Sequence, residues 1–264
     1  MDLQLSGKLA LVTGSTAGIG FAIANTLAAE GARVIINGRT EARVKEASDR
    51  IRAAHPEAKL HPLPLDLSKP EAAIETTHQF PELDILINNL GFYEPKPFEE
   101  IVDEEWYGII ETNFMSGVRL SRHYLPRMRF EDWGRILFIS SESAVNMPVE
   151  MIHYGITKTM QVALARALAE TTAGTGVTVN SVLVGPTRSE GVETFLQDMA
   201  KTKSITTAQV EEEFFKTIRP SSLLQRFETG DEVAAMVAFL ASPLASATNG
   251  AAVRVEGGVV RSIL

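Results

Sequence analysis

The sequence contains no cysteine among its 264 residues. Disulfide bonds, thiolate nucleophiles, iron–sulfur clusters and cysteine-ligated zinc are therefore excluded. The five histidines show neither metal-ligand spacing nor the HExxH pattern of zinc proteases. We therefore expect no metal site.

Long apolar runs and a basic surplus are also missing. No stretch approaches the roughly 18 apolar residues that a membrane-spanning helix needs. Residues 1–5 carry an acid and no basic residue, which is not typical of a secretory signal, so we expect a cytoplasmic protein without membrane contact. The formal net charge is −8, from 25 basic and 33 acidic residues. A nucleic-acid partner is not expected, because binding to phosphate backbones needs a basic face.

Short apolar runs alternate with longer amphipathic stretches along the chain. Most of the runs are continuously apolar, as expected for strands that helices cover on both faces. The predicted strands are 8–13, 33–37, 60–65, 84–88, 135–140, 177–183 and 251–255. Helical patterns lie between them at about 18–30, 40–54, 70–79, 101–129, 152–172 and 230–241.

This order of elements predicts an α/β fold: a single domain over residues 1–264 with a doubly wound, Rossmann-type parallel sheet of seven strands and helices on both faces. Such sheets bind ligands at the carboxyl ends of their strands. Residues 188–228 follow a strand end and are rich in Glu and Phe. We interpret this segment, called the lid below, as a helical substrate lid inserted within the domain.

Three glycines follow the first predicted strand in residues 13–20, the glycine turn. Gly14 permits a tight bend, while Gly18 and Gly20 lack the Cβ that would block a pyrophosphate or the approach of helix to strand. The start of the next helix, near Ile19, offers free N–H groups and a favourable dipole to an anion. A dinucleotide site is therefore predicted in this turn, which also contains Ser15 and Thr16; a flexible turn without a ligand is the alternative.

The second strand ends at Asn37, followed by Arg39, where an NAD-binding fold usually places an acid. A carboxylate repels a 2′-phosphate, whereas a guanidinium binds it through two hydrogen bonds. We therefore expect NADP(H) rather than NAD(H); stacking of Arg39 on adenine, or its exposure to solvent, remains open. Asp66 and Leu67 follow the third strand and are expected to meet the adenine, although Asp66 is equally suited to capping the next helix.

Tyr154 and Lys158 stand four residues apart in a helical stretch and therefore share a face. A tyrosine hydroxyl titrates near ~10, too high for a base at neutral pH. A neighbouring cation stabilises the phenolate and lowers that pKa by about 1–3 units. The pair therefore indicates proton transfer.

Several motifs occur together: Thr13-Gly14…Gly18-Ile19-Gly20, Asn88-Asn89-Leu90-Gly91, Asn113, Ser141, Tyr154-x-x-x-Lys158 and Val184-Gly185. In order and spacing this set resembles the short-chain dehydrogenase/reductase family over essentially the whole chain, including residues 249–258. It is most similar to the branch that contains 3-oxoacyl-carrier-protein reductases and many sugar, steroid and small-ketone dehydrogenases. The motifs are specific for the family and poorly specific for the substrate.

The resemblance implies an oxidoreductase that moves a hydride between a nicotinamide dinucleotide and a carbonyl or secondary alcohol. It implies that Tyr154 is the acid/base, that Lys158 holds the nicotinamide ribose, and that Ser141 bonds the substrate oxygen. Asn113 is expected to fix a water in a proton relay, and Ser143 to help contact the substrate. The remaining cofactor contacts that the resemblance implies are Asn88, Gly91, Gly185, Thr187 and Ser189.

Two positions near these motifs depart from the family pattern. Leu90 replaces the usual alanine and adds bulk beside the cofactor, and Val184 replaces the usual proline and loosens the following loop. Glu142, directly after Ser141, is expected to face solvent rather than a substrate hydroxyl. None of them removes a catalytic group.

The resemblance also bears on partners. The basic stretch from Arg119 to Arg129 suits docking of an acidic acyl-carrier protein, although a solvated helix face is the favoured interpretation. A homotetramer is expected on resemblance alone. Two alternatives stay open: an NAD-dependent sugar or alcohol dehydrogenase, and a non-catalytic protein that senses a dinucleotide.

Overall fold

A computed structural model describes residues 1–263 of the chain. Its centre is a parallel seven-stranded sheet in the order β3-β2-β1-β4-β5-β6-β7. The strands are β1 (Leu9–Val12), β2 (Arg33–Asn37), β3 (Lys59–Leu63), β4 (Ile85–Asn88), β5 (Gly134–Ser141), β6 (Val177–Val184) and β7 (Ala252–Val255). The predicted fold class is confirmed, and the predicted strands differ from the observed ones only at their ends.

The helices surround this sheet. They are α1 (Gly18–Ala29), α2 (Glu41–Ala54), α3 (Pro70–Gln79), α4 (Asp103–Ile110), α5 (Ser116–Phe130), α6 (Ile152–Glu170), α7 (Glu190–Lys203), α8 (Thr207–Thr217) and α9 (Gly230–Ala241). None of the helices within residues 1–263 is long and apolar enough to cross a membrane.

Alternate strand residues point to opposite faces of the sheet and build two apolar layers. On one face Val12, Ile36 and Ile87 pack with apolar side chains of α1, α2 and α9. On the other face Leu11 and Leu86 pack with α3, α5 and α6. Burial on both faces explains why the strand sequences are continuously apolar.

The stretch predicted as one helix over 101–129 is interrupted. Between α4 and α5 the chain forms a π-helical turn, Glu111–Met115, which contains Asn113. Such wide turns occur mostly as single insertions in α-helices, often at functional sites. Periodicity did not reveal it, because one extra residue shifts the apolar pattern by less than a third of a turn.

The lid folds around its own small apolar cluster. Leu196 and Ala200 of α7 pack with Val210 and Phe215 of α8 and with Phe227. The helical character predicted for residues 188–228 is confirmed, while its function as a substrate lid stays a prediction. The small size of this cluster makes the lid more easily opened than the main core.

Candidate active site

The strand order reverses at β1, which pairs with β2 on one side and β4 on the other. Connections after these strands diverge and leave a crevice at their carboxyl ends. The glycine turn follows β1 at this crevice and leads directly into α1 at Gly18.

The glycine turn keeps an open backbone. Gly14 has φ +63°, a left-handed conformation that residues with a Cβ rarely adopt. A Cβ on Gly20 would overlap the carbonyl oxygen of Gly14 and lie 2.5 Å from Asn89 Nδ2. In the part of the chain that the structure describes, no side chain caps the N-terminus of α1 and no acid stands in its first turn. The turn therefore fits a pyrophosphate, which can take the free N–H groups.

The other predicted residues of the turn have different roles. The Ser15 hydroxyl is buried and accepts a 2.9 Å hydrogen bond from the N–H of Asn37. Ile19 packs against the core, and the Thr16 side chain lies partly exposed on the turn. Ser15 and Ile19 therefore hold the shape of the turn, and Thr16 is the hydroxyl side chain that stays partly exposed on it.

Sequence reasoning missed the groups that hold the turn against β4. Thr13 Oγ1 accepts hydrogen bonds from the N–H groups of Asn89 (2.9 Å) and Leu90 (2.8 Å). Asn89 Nδ2 donates to the carbonyl oxygens of Thr13 (2.9 Å) and Gly14 (3.2 Å). The available signal in the sequence was the hydroxyl residue Thr13 at the end of the first strand, together with the asparagine pair Asn88-Asn89 at the end of the fourth.

Asn37 also proves to be structural. Its Oδ1 accepts from the N–H of Gly14 at 2.9 Å, and its Nδ2 donates to the carbonyls of Leu63 and Leu65, each at 3.0 Å. The side chain is 1% exposed. Asn37 therefore ties the glycine turn to β3, and the residue free to face a cofactor at this strand end is Arg39.

Arg39 is exposed at the end of β2. Within residues 1–263 its guanidinium has no hydrogen-bond or ion-pair partner. Asp66 Oδ1 accepts from the N–H (3.1 Å) and hydroxyl (2.8 Å) of Ser68, a local turn rather than the helix cap, which is Lys69. Leu67 is buried in the core, so only its backbone is placed to meet an adenine.

The structure brings Tyr154 and Lys158 together on α6, as predicted. Lys158 Nζ lies 5.5 Å from the centre of the Tyr154 ring and donates to the Ile139 carbonyl at 2.9 Å. The Ser140 hydroxyl donates to the Lys158 carbonyl at 2.9 Å. These bonds fix α6 against β5. Tyr93 packs edge-on against Tyr154, with ring centres 5.9 Å apart.

Asn113 lies beside this pair because of the π-helical turn. Its side chain exchanges two 2.9 Å hydrogen bonds with the backbone of Phe92 and donates to Thr157 Oγ1 at 3.2 Å. A π turn leaves one helical carbonyl without its usual partner. The Asn113 carbonyl accepts instead from Gln161 Nε2 at 2.6 Å. Thr157 and Gln161 were not predicted; both lie on the face of α6 that carries Lys158.

Ser141 is the last residue of β5. Ser140 lies on the opposite face of the strand and bonds to the Lys158 carbonyl. Ser141 Oγ accepts from the N–H of Ser143 at 3.1 Å. Ser143 is 1% exposed, and its hydroxyl donates to Glu142 Oε1 at 3.4 Å. Ser143 is therefore buried beside Glu142, and Ser141 is the serine whose hydroxyl interacts with Tyr154.

The prediction that Glu142 faces solvent is wrong. Its side chain is 3% exposed, and Oε1 accepts a 2.7 Å hydrogen bond from Arg219 Nε of the lid. Burial raises the pKa of the Glu142 carboxyl, and the Arg219 guanidinium acts to lower it. Sequence position alone could not show this pairing, because the partner lies 77 residues away.

Burial controls the proton affinities of the tyrosine and the lysine. It raises the pKa of Tyr154 to about 12, against a smaller lowering by the Ser141 hydroxyl. Burial also lowers the pKa of Lys158 to about 8. The expected lowering of the Tyr154 pKa by Lys158 is therefore not the dominant effect in the protein without its cofactor. At neutral pH Tyr154 is a neutral phenol.

The loop after β6 lies next to the glycine turn. β6 extends to Val184, which pairs with Val255. The valine that stands in place of the usual proline therefore continues the strand and does not loosen the following loop as expected. A Cβ on Gly185 would lie 2.7 Å from the Glu256 Cα, so this position needs glycine. The Thr187 hydroxyl donates to the Gly185 carbonyl at 2.9 Å.

Ser189 caps α7 and lies next to the glycine turn. Its hydroxyl accepts from the N–H of Val192 at 3.3 Å. A Cβ on Gly18 would lie 3.7 Å from the Ser189 Cβ, ordinary contact distance. The start of the lid therefore lies against the glycine turn at Gly18.

The segment after β4 has mixed roles. Asn88 is buried and donates to the Ser121 hydroxyl at 3.3 Å, so its side chain points into the core rather than the crevice. A Cβ on Gly91 would lie 3.3 Å from Asn113 Oδ1 and 3.6 Å from Lys158 Nζ, which places Gly91 at the catalytic groups. Leu90 Cδ1 lies 3.5 Å from the Cβ position of Gly14, at the crevice as expected.

The chain is similar in sequence to known proteins. The family model for short chain dehydrogenases matches residues 8–200. YvaG, an oxidoreductase of Bacillus subtilis, is 50% identical over 263 residues, covering 100% of both chains. The 3-oxoacyl-[acyl-carrier-protein] reductase FabG of Aquifex aeolicus is 34% identical, over 98% of this chain and 100% of its own.

Among solved structures, L-sorbose reductase from Gluconobacter frateurii, complexed with NADPH and L-sorbose, is similar with a TM-score of 0.92. The sequence identity is 27%, and the match covers 100% of both chains. Fold, motifs and relatives thus agree over the full length.

Proposed function

The chain belongs to the short-chain dehydrogenase family and is an NAD(P)-dependent oxidoreductase; from this premise we propose that it reduces a carbonyl with NADPH, and that Tyr154 supplies the proton. The observation that carries this proposal is the convergence of Ser141, Tyr154, Lys158 and Asn113 beside an open glycine turn. When bound, the dinucleotide supplies the hydride. The protein residues bind it, orient the carbonyl and deliver the proton.

The proton affinities support the reductive direction. A phenol with a pKa of about 12 holds its proton at neutral pH and is ready to donate to a carbonyl oxygen that gains negative charge. Ser141, beside Tyr154, is placed to donate a second hydrogen bond to the same oxygen. Lys158 and Asn113 lie behind the tyrosine, where they can return a proton from solvent after each turnover.

The preference for NADPH rests on the end of β2. Arg39 is exposed and unpaired within the described residues, and Asn37, the neighbouring polar side chain, is turned inward. A guanidinium there pairs with a 2′-phosphate, and no carboxylate opposes it at this strand end. The crystallised relative L-sorbose reductase is complexed with NADPH, which agrees with this proposal.

A panel of ketoses, small ketones and acetoacetyl thioesters, followed at 340 nm with each cofactor, tests the proposal. For Tyr154→Phe we expect kcat to fall by about 10²–10⁴-fold while NADPH binding, followed by fluorescence, is retained. For Arg39→Ala we expect KM for NADPH to rise about 10- to 100-fold with little change for NADH. Unchanged turnover in Tyr154→Phe, or a native preference for NADH that Arg39→Ala leaves intact, contradicts the corresponding part.

The same panel addresses the alternatives. Oxidation of polyols with NAD and no carbonyl reduction indicates a sugar or alcohol dehydrogenase. NADPH binding without turnover on any substrate indicates a sensing protein.

Partners remain predictions. In the basic stretch, Arg119 pairs with Glu111 at 2.6 Å and Arg127 with Glu82 at 3.5 Å, so part of its charge is already used within the chain. This reduces the case for docking an acyl-carrier protein. The expected homotetramer is checked by light scattering.

A further inference from the structure

The lid meets the main fold at a buried ion pair. Arg219, just after α8, donates from Nε to Glu142 Oε1 at 2.7 Å. Among the ion pairs of residues 1–263, this is the only one in which both side chains are less than a tenth exposed, at 8% and 3%. All the others have at least one partner in contact with solvent.

Such a pair needs a reason other than stability. Removing two charges from water costs about as much as their attraction returns, so buried ion pairs contribute little net stability. Their best-attested use is to select one arrangement over others.

Arg219 joins the lid to both segments that carry the catalytic groups. Glu142 directly follows Ser141 at the end of β5. Glu150 Oε1 accepts a second bond from Arg219 Nη1 at 3.2 Å, in the short turn Val149–Met151 that leads into α6 and Tyr154.

On the lid side, Arg219 is itself held. Its Nη1 donates to the Ile218 carbonyl at 3.0 Å, and its backbone N–H donates to the Phe214 carbonyl at 3.1 Å. The guanidinium therefore transmits the position of α8 to the serine and to the tyrosine. The charges of Glu142 and Arg219 also reach Tyr154, with opposite effects on its pKa.

We propose that Arg219 is a positioning residue, whose ion pairs with Glu142 and Glu150 hold the closed lid in register with Ser141 and Tyr154. The inference rests on the proposed function, because it takes Ser141 and Tyr154 as the groups that bind the substrate oxygen. Loss of Arg219 leaves these groups present and loosens their geometry. Misplacement by about 1 Å is enough to cost roughly 100-fold in rate.

The first test compares Arg219→Met with Arg226→Met. Arg226 is also a lid arginine in an ion pair, with Glu232 at 2.7 Å, but both side chains of this pair are exposed. We expect kcat to fall about 10- to 100-fold in Arg219→Met, with the Kd for NADPH changed less than about threefold, and both constants near wild type in Arg226→Met. Wild-type kcat in Arg219→Met overturns the proposal.

The pH profile separates positioning from general damage. Besides Arg219, the groups that face Glu142 are Ser143 and Asn146 of its own turn and Tyr154 of α6. Without the guanidinium, the buried Glu142 carboxyl has a higher pKa, so part of the kcat that Arg219→Met loses should return as pH falls and that carboxyl becomes neutral. Adding Glu142→Gln should remove this pH dependence, but kcat should stay below wild type at every pH because the bridge from the lid is still absent. Wild-type kcat in the double variant overturns the proposal, because the unpaired charge alone then accounts for the loss.

Hydrogen–deuterium exchange of residues 190–218 provides a measurement that does not depend on activity. We expect faster exchange in Arg219→Met and not in Arg226→Met. If Arg219→Met does not fold, Arg219→Lys, which keeps the charge but cannot bond both carboxylates, replaces it with the same expectations. If lid exchange in Arg219→Met equals that of the wild type, the positioning role is overturned, even when the wild type reduces no carbonyl. If the wild type is inactive but lid exchange is faster in Arg219→Met, only the proposed function is overturned.

Discussion

Glu228, at the end of the lid, provides a quantitative test of the structure. Its backbone bonds to the loop after β6, because its N–H donates to the Pro186 carbonyl at 2.9 Å and its carbonyl accepts from the N–H of Arg188 at 2.8 Å. The side chain is 3% exposed, and within residues 1–263 its Oε2 is buried without a hydrogen-bond partner. An ionised carboxylate is therefore costly at this position.

Several influences combine to raise the pKa of Glu228 to about 7 from its ordinary 4.5. Burial is the largest, followed by the negative charges of Glu232 and Glu256, while the N–H of Gly185 and the cation of Arg226 oppose them. At about 1.4 kcal/mol per pH unit, this difference corresponds to roughly 3 kcal/mol.

The sign follows from proton linkage. Below about pH 4.5 the carboxyl is neutral in both folded and unfolded chains, and its contribution to stability is fully present. As pH rises from about 4.5 to about 7 the unfolded chain releases the proton first, so stability falls. Glu228→Gln lacks this loss and should be more stable than wild type by up to roughly 3 kcal/mol at pH 8, with a much smaller difference at pH 5.

Urea unfolding of both proteins at pH 5 and pH 8 measures this difference. Glu99→Gln, an exposed carboxyl, is the matched control and should change stability by less than about 0.5 kcal/mol at either pH. A gain that is equal at the two pH values, or a Glu228→Gln protein less stable than wild type at pH 8, would refute the reasoning.

Three further predictions concern the crevice. Gly20→Ala should weaken NADPH binding by about tenfold or more, because its Cβ overlaps the glycine turn, and a binding titration measures this. The control Gly108→Ala, whose Cβ meets no atom within 4 Å beyond its neighbours and its own helix backbone, should stabilise α4 by about 0.5–1 kcal/mol in thermal unfolding. The kcat/KM for carbonyl reduction should fall above about pH 8 as Lys158 loses its proton, and a profile flat to pH 10 argues against that assignment. Thr13→Val should cost roughly 2–4 kcal/mol in unfolding free energy, because it leaves the N–H of Asn89 and its neighbour without an acceptor, and Thr13→Ser should cost much less.

The sheet and the glycine turn could be predicted from sequence because their signals are local. Continuous apolar runs require coverage on both faces, and a glycine such as Gly14 at a strand end indicates a backbone that no other residue adopts easily. The spacing of Tyr154 and Lys158 likewise fixes a shared helix face. Each of these depends on a few neighbouring residues.

The functions of single polar residues were harder to predict. Asn37 was noted only as a neutral residue before Arg39, yet its amide ties the glycine turn to the end of β3. Asn113 was placed in a regular helix, although a π turn presents it to the catalytic groups. In both cases the deciding hydrogen bonds join elements distant in sequence, and no local pattern encodes them.

The proton affinity of Tyr154 shows why the remaining part of the site needs the fold. Helical spacing places a cation near the ring and suggests a lowered pKa, but that argument counts only one neighbour. Desolvation depends on everything packed around the hydroxyl, including Tyr93, and here it outweighs the attraction and raises the pKa to about 12. Burial likewise lowers the pKa of Lys158 to about 8, so less positive charge lies beside Tyr154 than the helical spacing implies. A site whose tyrosine keeps its proton until a carbonyl oxygen becomes basic is suited to reduction.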